Sequence, residues 1–60
     1  MRVHHGKDGR YVVFEKSSGA CVWWSVTLRD ATGNVIDKVR CDDYRMAAEY
    51  RAAFLKIARA

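Results

Sequence analysis

Two adjacent histidines, two cysteines and two adjacent aspartates are the residues of this 60-residue chain best equipped for metal binding, acid–base work or nucleophilic attack. Their spacing supports none of these. His4 and His5 sit side by side near the amino end, with no Cys or carboxylate at metal-ligand distance along the chain and no partner for a catalytic triad. Asp42 and Asp43 stand where an amphipathic stretch begins, the position at which acids cap a helix and oppose its dipole. Ser17 and Ser18 have no base nearby and belong to the turn signal "SSGA". The glycine-containing "GKDG" and "SSG" lack the preceding strand, the fixed spacing and the Lys-Ser or Lys-Thr ending of a phosphate-binding loop. The expectation is a protein without catalytic residues, metal or cofactor.

Binding chemistry has a better foundation, in the stretch "CVWWSVTLRDATGNVIDKVRC". Val22, Trp24, Val26 and Leu28 alternate as the core-facing side of a strand does. The other phase holds Trp23, Ser25, Thr27 and Arg29, and the return strand adds Ile36, Lys38 and Arg40 to the same side. A solvated sheet face needs neither Trp nor Ile. Contiguous apolar residues among unbalanced cations mark an interaction surface. Arg and Lys neutralise phosphates, Trp offers a plane for sugar or base, and Thr supplies a hydrogen bond. Trp and Arg are also the types enriched at protein–protein hot spots.

The elements that must position this face follow from periodicity. Strands are expected over "RYVVFEK", from Cys21 to about Arg29, and over "VIDKVRC". They are joined by "SSGA" and by "DATGN", whose Gly33 and Asn34 tolerate left-handed backbone. Val12 and Phe14 oppose Tyr11 and Val13 in phase, so the register of the first strand stays open. Pairing the later strands through the second turn sets Val26 against Val39 and Trp24 against Cys41, with Asp37 opposite Leu28 at the rim. From Asp42 the period becomes 3.6 residues. Met46, Ala47, Tyr50, Ala53, Phe54, Ile57 and Ala58 form one stripe, predicting a helix from about Asp43 to Arg59 that packs Tyr50, Phe54 and Ile57 on Trp24, Val26 and Val39. The fold class is α+β: a three-stranded antiparallel meander with one C-terminal helix on one face, spanning residues 10–60 behind a flexible arm of residues 1–9.

Half of the residues are apolar and 30% are charged, which is a globular composition for a single domain. The net charge of +4 permits attraction to nucleic acid, an anionic surface or an acidic protein. No apolar run approaches the roughly 20 residues of a membrane span, so a cytoplasmic protein with no membrane partner is expected. Cys21 and Cys41 fall on opposite strand phases and are expected to be free thiols.

The order of elements, with "WWSVTLRDATGNVIDKVRCDDYRMAAEYRAAF", resembles the β3α DNA-binding domains of the plant AP2 type and of the arm-binding modules of phage and transposon integrases. That resemblance implies a sheet placed in the major groove of double-stranded DNA. Trp23, Arg29 and Arg40 correspond in type to the residues such domains use, Ala47 and Ala48 to the alanine pair that seats their helix. Their first strand is rich in arginine; here Arg10 and Lys16 are its cations. The hairpin "VTLRDATGNVI" is also similar to the small YegP-like bacterial domains, which implies the same fold and pairing into homodimers. The binding set expected from all this is Arg10, Trp23, Thr27, Arg29, Ile36, Lys38 and Arg40. DNA is the first partner to consider. A phage-type inhibitor or accessory factor that binds a host nucleic-acid-handling protein, and a homodimeric structural domain, are the alternatives.

Overall fold

A computed structural model describes residues 1–60. Four strands, β1 (Arg2–His5), β2 (Tyr11–Lys16), β3 (Trp24–Arg29) and β4 (Val35–Cys41), form one antiparallel sheet in sequence order, followed by a helix, α1 (Tyr44–Ala58). The class is α+β with a C-terminal helix, but the expected count of three strands is corrected to four. The extra strand lies inside the stretch expected as an arm. Its origin is the turn Lys7-Asp8-Gly9-Arg10, in which Asp8 (φ 60°) and Gly9 (φ 81°) are both left-handed and the Arg10 N–H donates to the Lys7 carbonyl at 3.2 Å. Two positive φ values at the centre of a turn give the primed geometry whose twist matches that of paired strands, and Asp-Gly is a favoured dipeptide for it. The chain before Gly6 is thereby folded back along β2.

The register of β2 is now defined. Val12 pairs with Leu28 and Phe14 with Val26, so Val12 and Phe14 share the helix side with the apolar phase of β3. Pairing of Arg2 with Phe14 and of Val3 with Val13 puts Arg2 and His4 on the helix side and Val3 and His5 on the other. Between β3 and β4 the pairs Val26–Val39, Trp24–Cys41 and Leu28–Asp37 stand as the alternation predicted. The last pair, Arg29 with Val35, skips a residue, and Ile36 is the extra one of a β-bulge. Strand β3 begins at Trp24, three residues later than expected, because Ser17 organises the preceding loop. Its hydroxyl oxygen accepts from the Trp23 N–H at 2.8 Å and its O–H donates to the Cys21 carbonyl at 3.1 Å. Both cysteines are free, Cys21 exposed and Cys41 buried. Burial, with Asp42 and Asp43 nearby, raises the pKa of the Cys41 thiol.

Asp43 caps the helix from extended backbone (φ −123°, ψ 130°), its carboxylate accepting from the Arg45 N–H at 3.2 Å. The docked side of α1 differs from the expected one. Ala47 and Ala58 are wholly buried and Phe54 nearly so, whereas Tyr50 is 40% and Ile57 51% exposed. The core joins these three helix residues to Val12, Phe14, Val26, Leu28 and Cys41, with Trp24, Val39 and Leu55 at its margin. Small residues decide the rotation: a helix comes closest to a sheet along its alanines, and the larger Phe54 fills the space between them. Tyr44 adds edge-on contacts to Phe14 and Trp24, at centroid distances of 6.2 and 5.8 Å. At the other end the β1–β2 turn holds the helix terminus. The Lys7 N–H donates to the Ala58 carbonyl at 2.7 Å, and Arg59 Nε donates to the His5 carbonyl at 3.3 Å.

This docking sets an order of stabilities. Phe54→Ala is expected to cost about 3 to 5 kcal/mol in chemical denaturation. Ile57→Ala, from a half-exposed site, should cost less than about 1 kcal/mol. Equal costs would place the helix in the rotation that the sequence stripe alone implies.

Candidate functional site

The face of the sheet opposite α1 is built from three cross-strand rows, given by the pairing and the alternation of side chains. Glu15, Ser25 and Arg40 form one; Val3, Val13, Thr27 and Lys38 the next; His5, Tyr11, Arg29 and Val35 the third. The middle of this face is closed although no helix covers it. Val13, Ser25 and Thr27 are 8%, 7% and 5% exposed, each on an inner strand with a paired neighbour on both sides. Reach toward a partner therefore belongs to the periphery.

At one end of the face the Arg40 guanidinium lies over the Trp23 ring, 4.6 Å from its centroid. A guanidinium held flat on an aromatic ring keeps its charge and loses some of its freedom, which leaves it prepared for a planar or anionic partner. Lys38 and Arg40 are exposed on β4, an edge strand, and neither takes part in an ion pair. Glu15 is the one carboxylate on the three rows, and β3 lies between it and Arg40. The result is a positive rim beside an aromatic plane.

The remaining expected residues divide. Arg29 is on this face, but its Nη1 donates to the Gly33 carbonyl at 2.6 Å and so braces the β3–β4 turn. That turn is further tied by Asp30, whose Oδ1 accepts from the Thr32 hydroxyl at 2.7 Å and from the Thr32 and Asn34 N–H groups at 2.9 and 3.0 Å. These bonds favour the ionised carboxylate, the Thr32 hydroxyl most of all, and lower the pKa of Asp30. Thr27 is on the face but too buried to offer more than its edge. Ile36 is 54% exposed at the bulge, where strict alternation no longer assigns a face. Arg10 lies apart from the others: its Nε donates to the Lys7 carbonyl at 3.1 Å, its Nη2 to the Ala60 carbonyl at 3.0 Å, and Asp8 is 4.0 Å away. It is a clamp between the β1–β2 turn and the end of the chain. Trp23, Lys38 and Arg40 are the compact set.

Sequence reasoning passed over the helix-side cations at the opposite edge. Lys16 pairs with Trp24 and Arg2 with Phe14, so both cations point to the side on which α1 lies, and Arg51 of the helix places its guanidinium 4.8 Å from the Phe14 centroid. The signal was available, since Lys16 has the same parity as Val12 and Phe14. His4 belongs to this side too. Desolvation, then the charges of Arg51, Arg2 and Arg59, lower its pKa, and its Nε2 is buried without a hydrogen-bond partner. The neutral ring is thus favoured at pH 7. No group of three or more His, Cys, Asp or Glu residues is arranged to hold a metal ion.

Because Arg10 braces the fold and Lys38 and Arg40 do not, their removal should separate. Arg10→Ala is expected to lower stability by about 1 to 2 kcal/mol through two lost hydrogen bonds. Lys38→Ala and Arg40→Ala should each stay within about 0.5 kcal/mol of the parent. Thermal or urea unfolding of the three variants checks this, and an Arg40→Ala loss as large as that of Arg10→Ala would make Arg40 a structural residue.

No family model, no curated protein and no solved structure matches this chain, so its functional reading rests on the geometry of these residues.

Proposed function

We propose that the chain is a non-catalytic binding module that docks double-stranded DNA on the sheet face opposite α1, through Lys38 and Arg40 with Trp23 beside them. The observation that carries this reading is the exposed edge strand bearing two cations free of carboxylates, one of them laid over an indole. A two-stranded ribbon is of a width that the major groove admits, and the β3–β4 hairpin, braced by Arg29 and Asp30, is such a ribbon. Lys38 and Arg40 then lie on the strand nearest one phosphate backbone. Trp23 packs on sugar, and the closed centre of Val13, Ser25 and Thr27 supplies shape more than hydrogen bonds.

Fluorescence anisotropy with a labelled duplex across a range of salt concentrations tests it. Each neutralised phosphate releases counterion, so affinity should fall steeply with salt, and Lys38→Ala or Arg40→Ala should each reduce the log–log slope by about one. Absence of binding to any duplex at low ionic strength overturns the reading. A protein partner would instead make Trp23→Ala dominant, at about 2 kcal/mol or more, with weak salt dependence.

A second reading, self-association, is favoured by a different surface. Met46, Tyr50, Ala53 and Ile57 follow the 4-3-4 spacing of a coiled-coil seam, and Met46, Tyr50 and Ile57 are 50%, 40% and 51% exposed on the flank of α1 that the sheet does not use. Glu49 and Lys56 border that seam one heptad apart. Antiparallel docking of a second copy brings Glu49 of each helix toward Lys56 of the other, at the expense of the exposed 3.9 Å pair of Glu49 with Arg45. Sedimentation equilibrium should show a dimer that Ile57→Lys converts to monomer; a monomer at every accessible concentration removes this reading.

A further inference from the structure

Between α1 and the β1–β2 edge lies a cleft of about 370 Å³. Arg2, Lys16 and Arg51 enter it from β1, β2 and α1, and Phe14, Trp24 and Tyr44 supply aromatic walls, with Met1 at the margin. No carboxylate lines it, and none of the three cations belongs to an ion pair. Three like charges converging on one partly enclosed space repel one another, and an anion placed among them relieves that repulsion while accepting charge-assisted hydrogen bonds. The walls add a second requirement. Phe14 is 7% exposed and already under the Arg51 guanidinium, but Tyr44 is 52% exposed and Trp24 half-buried, so apolar ring surface remains open beside the charges. The volume is within the range of small-molecule sites, roughly 300 to 1,000 Å³.

We propose that this cleft binds a phosphate ester carried on a heteroaromatic ring, a nucleotide, with Arg2, Lys16 and Arg51 on the phosphate and Tyr44 and Trp24 against the base. Two sources offer that chemistry: a free mononucleotide and the 5′-phosphorylated end of a single strand. Base stacking on aromatic side chains is tolerant of sequence, and arginine forks suit terminal phosphate oxygens, so the cleft selects for phosphate plus ring and not for a particular base. The site is on the opposite side of the sheet from Lys38 and Arg40 and is independent of duplex binding there.

The test is an amide-shift titration of the full chain with adenosine 5′-monophosphate, adenosine, inorganic phosphate, and a short single strand with and without a 5′-phosphate. Saturable shifts should centre on Lys16, Tyr44 and Arg51 with the monophosphate, and adenosine or phosphate alone should bind at least about tenfold more weakly, since each satisfies one of the two requirements. Lys16→Gln, a change at an exposed strand end, and Arg2→Gln should each weaken the monophosphate about threefold or more while the remaining amide spectrum stays in place. A phosphorylated strand that binds about tenfold tighter than the mononucleotide identifies the strand end as the source, and equal affinities identify the free nucleotide. Lack of saturation with both phosphorylated probes, adenosine binding as tightly as its monophosphate, unchanged affinity in Lys16→Gln, or shifts confined to Trp23, Lys38 and Arg40 would each overturn the proposal.

Discussion

Two alanines fix much of this molecule. Ala47 and Ala58 have no exposed surface, and the helix rests on the sheet along the line they define, with Phe54 between them filling the core. At the Ala58 end the approach is closer still: a Cβ built on Gly6 would lie 2.6 Å from both the Ala58 Cβ and the Ala58 carbonyl oxygen. Only a residue without a side chain lets the β1–β2 turn meet the helix terminus there. Once it does, the Lys7 N–H reaches the Ala58 carbonyl and satisfies one of the acceptors that a helix end leaves open. In a domain of this size, near the lower limit for folding without disulfide or metal, such a contact links the first strand to the last element.

The distribution of charge follows from that arrangement. The chain has 11 Lys and Arg against 7 Asp and Glu, yet it forms only two ion pairs, Arg10 with Asp8 and Arg45 with Glu49. Other acids are spent on backbone: Asp30 on the β3–β4 turn, Asp37 on the Lys38 N–H, Asp43 on the helix start. Several cations are used in the same way, Arg10, Arg29 and Arg59 each donating to a carbonyl at a turn or chain end. Lys38 and Arg40 on one side of the sheet and Arg2, Lys16 and Arg51 on the other, the cations of the two candidate surfaces, are left without such employment, as are Lys7 and Lys56. Their freedom is what an anionic partner would use.

Much of the sheet was legible because alternation and turn chemistry agree from Trp24 to Cys41. The pairs Val26–Val39, Trp24–Cys41 and Leu28–Asp37 follow from the position of the second turn, and the bulge at Ile36 lies outside what a period of two can specify. β1 was illegible by hydrophobic pattern, since "RVHH" contributes one aliphatic residue. Its evidence was in Asp8-Gly9, a hairpin dipeptide ahead of a clear strand, and the turn outranked the composition. The helix rotation failed for another reason. On a wheel, Tyr50 and Ile57 carry more hydrophobic weight than Ala47 and Ala58, but the sheet receives the side of α1 that lets the backbones come close. Of the candidate site, Trp23, Lys38 and Arg40 follow from parity alone, whereas Arg10 could not be told from them without knowing that a turn and a chain end lay within its reach.

Consecutive tryptophans show how the two surfaces share one support. Trp23 stacks with Arg40 on the face away from the helix, and Trp24 meets Tyr44 edge-on beside the cleft on the helix face. Opposite directions are what adjacent residues entering a strand must have. The position of both is set just upstream, where the Ser17 hydroxyl accepts from the Trp23 N–H and the Ser17 N–H donates to the Trp23 carbonyl at 2.8 Å. A shift of one residue in this loop would exchange the two indoles between faces, turning Trp23 toward the cleft side and Trp24 toward the face that carries Arg40. Ser17 is therefore turn chemistry with a consequence at a distance: it does not touch a partner on either face, yet the phase it imposes decides which indole each face receives.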